Sequence, residues 1–441
     1  MGWTGKSNPA LVEAIVVSFR DSPECSSNKL SRFKSTDWAR TEVWLDNSGL
    51  ALYFLDRIYS AGIADAIDPA TLRRLEQKLA ENRERKADMM QEFVEINHCF
   101  RDADLRYANL KGFTLAPDSC PDLSLRRQSD FDFLIHPADL SAGRSLLEKR
   151  GYELVCATAR TLELKSGNAQ KVSFEGRYRA TPVRSVELHT ALESASKNAR
   201  VEPYDERMDR LVSWTFEGRS FPALSPADQL IGQALHVLGH LLSEHTRPSW
   251  LLEYRHHVLA RQENAVFWTE VERLAFSQKD AAIAIGLSSL LARELFGPFE
   301  APEIDPWTVD ALPCGVRLWA QRYGRRTVLA EVPGTKFYLF LEGVLDEPNE
   351  AHQLRDGAAR LFPMHRLPKI LRPPPQDTIR LRIQRDIAQL HYFFYRARFH
   401  LIQGVFFFLE VRRWSRLLKK VCREKPQNAS KQKSPRISLQ R

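Results

Sequence analysis

The stretch Ser129–Ile135 limits the fold of this chain more than any other part of its sequence. It reads Ser-Asp-Phe-Asp-Phe-Leu-Ile, a length and aromatic content typical of a β-strand. Successive side chains of a strand point to opposite faces, so Asp130 and Asp132 share one face and the phenylalanines beside them share the other. The sequence therefore predicts a strand with a hydrophobic core on one side and two adjacent carboxylates on the other.

Two carboxylates on one face repel each other at neutral pH, and a divalent cation with oxygen ligands is the usual way to offset that repulsion. A third acid on a neighbouring strand would complete such a site, and Glu187 lies in the strand-like run Val186–His189. A lone Asp-x-Asp pair is more often a solvated strand edge or an Asx-type structural site. The pair alone therefore does not establish metal binding.

Cations lie shortly before the acidic strand, where Lys111, Arg126 and Arg127 occupy segments that we expect to be loops facing the same crevice. An arginine presents a fixed fork of donors that suits phosphate oxygens. Gly112 lets the backbone approach a ligand closely, or simply lets the chain turn. Carboxylates for a metal beside cations for phosphate indicate phosphoryl or nucleotidyl transfer assisted by a metal.

The acidic strand lies in an alternation of strand and helix patterns that is typical of a small α/β unit. The elements predicted in this unit are strands at Leu105–Leu110, Tyr152–Val155, Thr161–Lys165, Lys171–Glu175 and Val186–His189, and a helix at Ala138–Arg150. Helical periodicity flanks the unit on both sides. The flanking helices are predicted at Trp38–Tyr59, Pro69–Asp104, Ala227–Leu242, Glu263–Phe296 and His391–Cys422.

We therefore predict an α+β protein in which helical regions flank a small mixed-sheet core. The predicted division is a helical N-terminal region (1–104), an α/β core (105–222), a helical C-terminal region (223–425) and a basic, disordered tail (426–441).

The net charge of +9 is concentrated near the C-terminal end, since Val411–Arg441 contains eleven Lys or Arg and one acid. The rest of the chain is nearly neutral, which makes long nucleic acid the least favoured partner. Six cysteines without paired or metal-type spacing favour free thiols in a reducing cytoplasm. No stretch is apolar over the length that a membrane-spanning helix needs.

Four motifs, in this order, resemble the uncharacterised nucleotidyltransferase family of the polymerase-beta superfamily. They are Leu110–Phe113, Arg126–Ile135, Gly151-Tyr152 after a helix, and Val186–His189. The family pattern has Leu-Lys-Gly, an Arg four residues before Asp-x-Asp, a helix ending in Gly-Tyr, and a hydrophobic residue followed by an acid, Leu and His. The similarity covers about Leu105–Leu252.

This resemblance implies transfer of a nucleoside monophosphate from an NTP to a hydroxyl or phosphate of an unidentified small-molecule or protein acceptor. It implies that Asp130, Asp132 and Glu187 are the catalytic residues and bind Mg²⁺ (or Mn²⁺), with Glu187 as a ligand or a base. The predicted nucleotide contacts are Lys111, Gly112, Arg126, Arg127, Ser129 and His189. Arg127 has no firm counterpart in the family, and for His189 a structural hydrogen bond is an equal alternative.

Two departures from the superfamily pattern support a second hypothesis. Gly112-Phe113-Thr114 stands where the superfamily commonly has Gly-Ser, so the hydroxyl for the terminal phosphates is either missing or supplied by Thr114. Glu187 replaces the shorter Asp and adds a methylene, which loosens the geometry of a metal site. The second hypothesis is a catalytically degenerate relative that binds a nucleotide or a partner as a scaffold.

Two further patterns lie outside the nucleotidyltransferase core. His236 and His240 have the i, i+4 spacing of helical metal ligands, but no Glu follows the first histidine as in zincins, and we favour packing or lining of the cleft. Aromatic and basic residues in 392–420 predict an amphipathic helix. Its aromatic face either packs on the body of the protein, which we favour, or contacts an anionic membrane surface.

Overall fold

A computed structural model describes residues 6–158, 160–166, 178, 184–191, 205–278, 280–345 and 379–423. The predicted strand Lys171–Glu175 and the predicted basic tail (426–441) lie outside these residues. The chain divides into one compact unit of residues 1–311 and 328–332 and another of residues 312–327 and 333–441. The four regions drawn from the sequence stay a prediction.

The helices before the sheet are α1 (Pro9–Val17), α2 (Pro23–Leu30), α3 (Ser35–Ser48), α4 (Ala51–Ser60) and α5 (Pro69–Asp102). Three of them begin with a proline that follows a polar cap, because the side chains of Asn8, Ser22 and Asp68 accept backbone N–H groups of the first turn. The segment Trp38–Tyr59, predicted as helical, is helical but is divided between α3 and α4. Gly49, with φ of +75°, ends α3 before α4 begins.

A seven-stranded mixed sheet follows, with the strand order β3-β4-β5-β2-β1-β7-β6. Its strands are β1 (Tyr107–Leu110), β2 (Asp130–Ile135), β3 (Tyr152–Ala157), β4 (Thr161–Ser166), β5 (Ser185–His189), β6 (Val212–Phe216) and β7 (Arg219–Ala223), and the helix α6 (Leu140–Lys149) precedes β3. The central strand β2 pairs in parallel with β5 and antiparallel with β1. Helices flanking a mixed sheet confirm the predicted α+β fold class.

The hairpin of β6 and β7 was not predicted from the sequence. Glu217 and Gly218 form its turn with φ of +47° and +74°. Two consecutive residues with positive φ suit a tight hairpin, because their backbone twist matches that of the strands. The sequence signal for this hairpin was an acid followed by glycine, placed between two short runs in which apolar and polar residues alternate.

One face of the sheet is covered by α5 and α6 and forms the hydrophobic core. Phe131 and Phe133 of β2 are buried there. The ring centroids of Phe93 and Phe100, both on α5, lie 6.4 Å and 5.2 Å from that of Phe133. The two phenylalanines therefore take the core face, as the alternation predicted, and the acids of β2 take the other.

The helices after the sheet are α7 (Pro226–Leu241), α8 (Pro248–Ala260), α9 (Ala265–Ser277) and α10 (Ala281–Phe296). Ser225 caps α7, since its hydroxyl accepts the backbone N–H of Asp228, and Pro226 follows at the first helical position. The single helix predicted over Glu263–Phe296 is wrong. The chain breaks between α9 and α10, where Asp280 has φ of +67°.

The remaining described helices are α11 (Cys314–Trp319), α12 (Arg325–Val328), α13 (Tyr338–Leu345) and α14 (Ile379–Arg423). Within the described residues no helix combines the length and the apolar character that crossing a bilayer requires. Cys314 is disulfide-bonded, so the prediction of six free thiols is wrong. Cysteine spacing does not reveal a pair that only the folded chain brings together.

Gly49 gives a test of the α3–α4 break. Gly49→Ala should lower the free energy of unfolding by about 1–2 kcal/mol, because an L-residue pays that cost in the left-handed region. The added methyl would also meet the side chain of Ser249. Urea unfolding followed by intrinsic fluorescence measures the change.

Gly232→Ala is the matched control, since Gly232 lies inside α7 with open space where the methyl would go. This variant should be more stable than the original chain by about 0.5–1 kcal/mol. Equal effects of the two substitutions would contradict the role given to Gly49.

Candidate active site

Parallel pairing of β2 with β5 brings the predicted acids together. Asp132 lies directly opposite Glu187 in the register, and Asp130 lies opposite Ser185. Because the side-chain period of a strand is two, Asp130 and Asp132 share the face that carries Glu187. Asp132 is buried, while the side chain of Glu187 is about one-third exposed. The three acids therefore line the sheet face away from the phenylalanine core.

His189 lies two residues after Glu187 on the same face of β5. Its Nε2 is 3.1 Å from Oδ1 of Asp132 and 3.4 Å from Oε2 of Glu187, and its Nδ1 is 3.1 Å from the hydroxyl of Thr161. Burial lowers the pKa of His189, but the hydrogen bonds to Asp132 and then Glu187 outweigh burial and raise the pKa to about 9. The structural hydrogen bond considered from the sequence is present.

Asp130 and Asp132 differ in their ionisation. Burial raises the pKa of Asp130, and the charge of Asp132 raises it further. Burial also acts to raise the pKa of Asp132, but the charge of Lys111 and the hydrogen bond from His189 outweigh it and hold that pKa well below its usual range. The pair therefore has one carboxylate that is firmly ionised and one that is costly to ionise.

Lys111 and Gly112 form the turn after β1, beside the acids. The Nζ of Lys111 lies 3.8 Å from Oδ1 of Asp132. Gly112 has φ of +53°, and a methyl group there would collide with the amide of Gln128. The Gln128 amide donates to the carbonyl oxygen of Asp130 at 2.8 Å. Gly112 therefore allows the positive φ of the turn and leaves room for the side chain of Gln128, which precedes β2.

Thr114 and Ser129 were candidates for a hydroxyl near the phosphates. The Thr114 hydroxyl is buried and donates to the carbonyl oxygen of Lys111 at 2.8 Å. Ser129 is exposed just before β2. Of the two, Ser129 has the accessible side chain.

Arg126 is held by an acid from α8. Its Nε lies 3.2 Å from Oε1 of Glu253, which also accepts the hydroxyl of Tyr53 at 3.1 Å. Burial lowers the pKa of Arg126, but the charge of Glu253 outweighs burial and raises it above its usual value. Arg126 is therefore a partly buried, charged group close enough to Asp130 to influence its pKa.

More arginines surround Asp130 than the sequence indicated. Burial, together with the charges of Arg127 and Arg184, lowers the pKa of Arg85, on α5, to about 10. Burial also lowers the pKa of Arg247, just before α8, and Arg127 and Arg126 add to this. The negative charge of Asp130 acts to raise the pKa of both Arg85 and Arg247. These guanidinium groups therefore share a region of positive potential around one carboxylate.

Sequence reasoning missed Arg85, Arg247 and Glu253. No local motif marks them, because all three lie far along the chain from the acidic strand, Arg85 and Glu253 on helices and Arg247 just before one. The Glu-Arg-Lys context of Arg85 and the Arg-Pro context of Arg247 are ordinary in and around helices and carry no phosphate signal. Only the packing of α5 and α8 beside the sheet reveals them.

His236 and His240 pack against an aromatic ring. Their ring centroids lie 4.6 Å and 4.4 Å from that of Trp250, and 4.6 Å from each other. The group of possible metal ligands found among the described residues is Asp132, Glu187 and His189, whose ligand atoms lie within 4.8 Å of one another. The packing role favoured for the two histidines from the sequence agrees with these contacts.

Comparison with known proteins agrees with the motifs. The profile of the uncharacterised nucleotidyltransferase family matches residues 34–297 and confirms the resemblance. No curated protein matches the sequence. A solved structure, the lincosamide antibiotic adenylyltransferase LnuA with bound lincomycin, matches with 17% identity and a TM-score of 0.23, covering 32% of this chain and 83% of that one. A match at this TM-score gives no information about the substrate of this chain.

Lys86 supports the acidic strand from α5 through Gln128. Its Nζ donates to Oε1 of Gln128 at 2.8 Å and lies 4.8 Å from the ring centroid of Phe113. Burial lowers the pKa of Lys86 to about 7, and the charge of Arg126 contributes. The amine is therefore partly neutral in the folded chain at pH 7 and charged in the unfolded chain.

Lys86→Met should change how stability depends on pH. Between pH 7 and about 10.5 the unfolded chain binds a proton at Lys86 that the folded chain does not, so this group makes the original chain more stable as pH rises, by at most about 1.4 kcal/mol per pH unit. The variant lacks this contribution. Its stability relative to the original chain should be highest at pH 7 and fall towards pH 10 in urea unfolding.

Lys149→Met, at an exposed lysine in the last turn of α6, is the control and should show a difference that does not vary with pH. A pH-independent difference for Lys86→Met as well would show that its amine stays charged in the fold.

Proposed function

Because the chain belongs to the uncharacterised nucleotidyltransferase family, we propose that it moves a nucleoside monophosphate from an NTP to a hydroxyl or phosphate acceptor with the help of a divalent metal. The acceptor belongs to a small molecule or a protein. The observation that carries the proposal is the register of β2 and β5, which places Asp132 opposite Glu187 with Asp130 on the same face.

The residues present fit a hard divalent cation. Asp132, Glu187 and Asp130 offer carboxylate oxygens, the ligands that Mg²⁺ and Mn²⁺ prefer. His189 contacts one oxygen of Asp132 and one of Glu187, so it orients both carboxylates. A cation would also remove the cost of ionising Asp130, which burial and Asp132 impose. We propose Asp130, Asp132 and Glu187 as the ligands.

The cations beside the acids suit a triphosphate. Lys111 lies next to Asp132, and Arg126, Arg85 and Arg247 act electrostatically on Asp130. Guanidinium groups bind phosphate oxygens with paired donors, and such contacts are strongest where water is excluded. The buried hydroxyl of Thr114 is engaged by the Lys111 carbonyl, so we assign the terminal phosphates to the cations.

In the proposed reaction the acceptor oxygen forms a bond to the α-phosphorus while the bond to the bridging oxygen of the β-phosphate breaks. Pyrophosphate leaves. The proton of a hydroxyl acceptor passes to Glu187, or to solvent where Glu187 only binds the metal. The metal, when bound, supplies neutralisation of phosphate charge. Lys111 and the arginines hold the triphosphate in position.

Nucleotide binding tests the proposal directly. Calorimetry with ATP, GTP, CTP and UTP, with and without Mg²⁺ or Mn²⁺, should show metal-dependent binding of at least one nucleotide. The double variant Asp130→Asn/Asp132→Asn should weaken that binding by at least about 10-fold, since each lost contact between charged groups costs about 1.5–3 kcal/mol.

Asp65→Asn, at an exposed acid in the turn Ala64–Ala66, is the matched control and should leave binding unchanged. Binding that persists without metal and survives the double substitution would instead favour the catalytically degenerate scaffold. No binding of any nucleotide by the folded protein would remove the enzymatic proposal.

Arg247 tests the triphosphate assignment separately from the metal. Arg247→Ala should raise the Kd of the bound NTP about 10-fold or more through loss of a charge-assisted contact, and change the Kd of the corresponding NMP much less. Titration of both ligands measures the split. Arg273→Ala, at an exposed arginine of α9, is the control. An equal loss for NTP and NMP would place Arg247 away from the β- and γ-phosphates.

A further inference from the structure

One face of α14 exposes large apolar side chains that nucleotidyl transfer does not explain. Six of these side chains, each between 52% and 72% exposed, are Phe393, Phe394, Leu401, Val405, Phe408 and Leu409. Single exposed apolar residues are ordinary on a protein surface, but a contiguous patch on one helix marks an interaction site.

From Phe399 to Trp414, the opposite face of α14 packs within its own unit. The ring centroids of Phe407 and Trp414 lie 4.6 Å and 5.3 Å from that of Phe340 on α13. Glu410 accepts the hydroxyl of Tyr323 at 2.9 Å and a hydrogen bond from Arg322 at 3.2 Å. The packing of aromatic residues expected from the sequence therefore holds for this face, and the exposed face needs a different partner.

The exposed face changes from apolar to basic along the helix. Phe394, Leu401, Val405 and Phe408 follow one another at intervals of seven, four and three residues, so they lie on one side. The same spacing continues through the basic residues, and Arg412, Arg416 and Lys419 are all exposed. The face thus offers about four turns of apolar surface followed by about two turns of cations.

Apolar and basic groups meet in one concavity of about 580 Å³ on this face. It is lined by Val405, Phe408, Leu409, Arg412, Arg413 and Arg416. A ligand that fits must present hydrocarbon and negative charge side by side. An anionic phospholipid has this chemistry, because its acyl chains adjoin a phosphate headgroup.

We propose that the exposed face of α14, from Phe393 to Lys420, lies on the surface of an anionic phospholipid membrane. The apolar side chains enter the boundary between headgroups and acyl chains, and the basic residues bind lipid phosphates. A second copy of α14 fits this face less well. Of its 45 residues eleven are Lys or Arg and two are acids, Asp386 and Glu410, and Glu410 is engaged by Arg322 and Tyr323.

Vesicle sedimentation of the full chain tests the proposal. Phosphatidylcholine vesicles containing phosphatidylserine should bind the protein, and phosphatidylcholine alone should not. Arg412→Glu/Arg416→Glu/Lys419→Glu should weaken binding roughly 100-fold, since each basic residue near an anionic surface contributes about 1 kcal/mol. Phe394→Ser/Leu401→Ser/Phe408→Ser should also weaken it, although all cations remain. Both sets are exposed, so circular dichroism should be unchanged.

The control Arg83→Glu/Arg219→Glu/Arg273→Glu makes the same charge change at exposed positions outside α14 and should bind as the original chain does. Removal of residues 424–441 separates the helix from the basic tail. Binding lost on that truncation but kept by the α14 variants would overturn the proposal. So would absence of binding at low salt, or a dimer in ultracentrifugation that the serine variant dissociates.

Discussion

The candidate site depends on how the fold offsets the repulsion between three carboxylates on one face of the sheet. Parallel pairing of β2 with β5 places Asp132 opposite Glu187, and the alternation of β2 adds Asp130 beside them. His189 offsets part of the repulsion because its hydrogen bonds to both acids raise its pKa to about 9 and keep it charged at neutral pH. Lys111 offsets more of it from the neighbouring turn. What is left is a carboxylate, Asp130, whose pKa is raised by burial and by the charge of Asp132.

Residues from the helices add the positively charged groups beside the acids of the sheet. Arg126 is partly buried and keeps its charge beside an acid, since α8 supplies Glu253, whose carboxylate also accepts the hydroxyl of Tyr53 on α4. Removing one partner of such a buried pair usually costs several kcal/mol, about 3–5, so the pair fixes the position of the loop before β2. Arg247 enters just before α8 and Arg85 from α5, where each adds positive potential. A sheet with its acids alone would repel a triphosphate.

How much the sequence reveals depends on how local each signal is. The orientation of Asp130 and the strand character of Val186–His189 follow from a period of two, which short segments display, and both were predicted. The breaks at Gly49 and Asp280 depend on single residues with positive φ inside otherwise helical patterns, and they were missed. Arg247 was missed for a different reason, because its role arises only when a distant helix packs beside the sheet. Local periodicity thus predicts secondary-structure elements and the face that each side chain takes. A distant arginine such as Arg247 can be identified only from the tertiary structure.

The two proposed anionic partners require opposite arrangements of positive charge. A triphosphate is a compact polyanion, and it is matched by guanidinium groups that converge in a partly desolvated pocket, where each interaction is strong. A lipid surface is an extended polyanion with hydrocarbon beneath it, matched by a row of exposed cations that continues an apolar helix face. Residues near Asp130 have the first arrangement, and Arg412–Lys420 has the second. The arrangement of the basic side chains in this protein therefore says more about its partners than the net charge does.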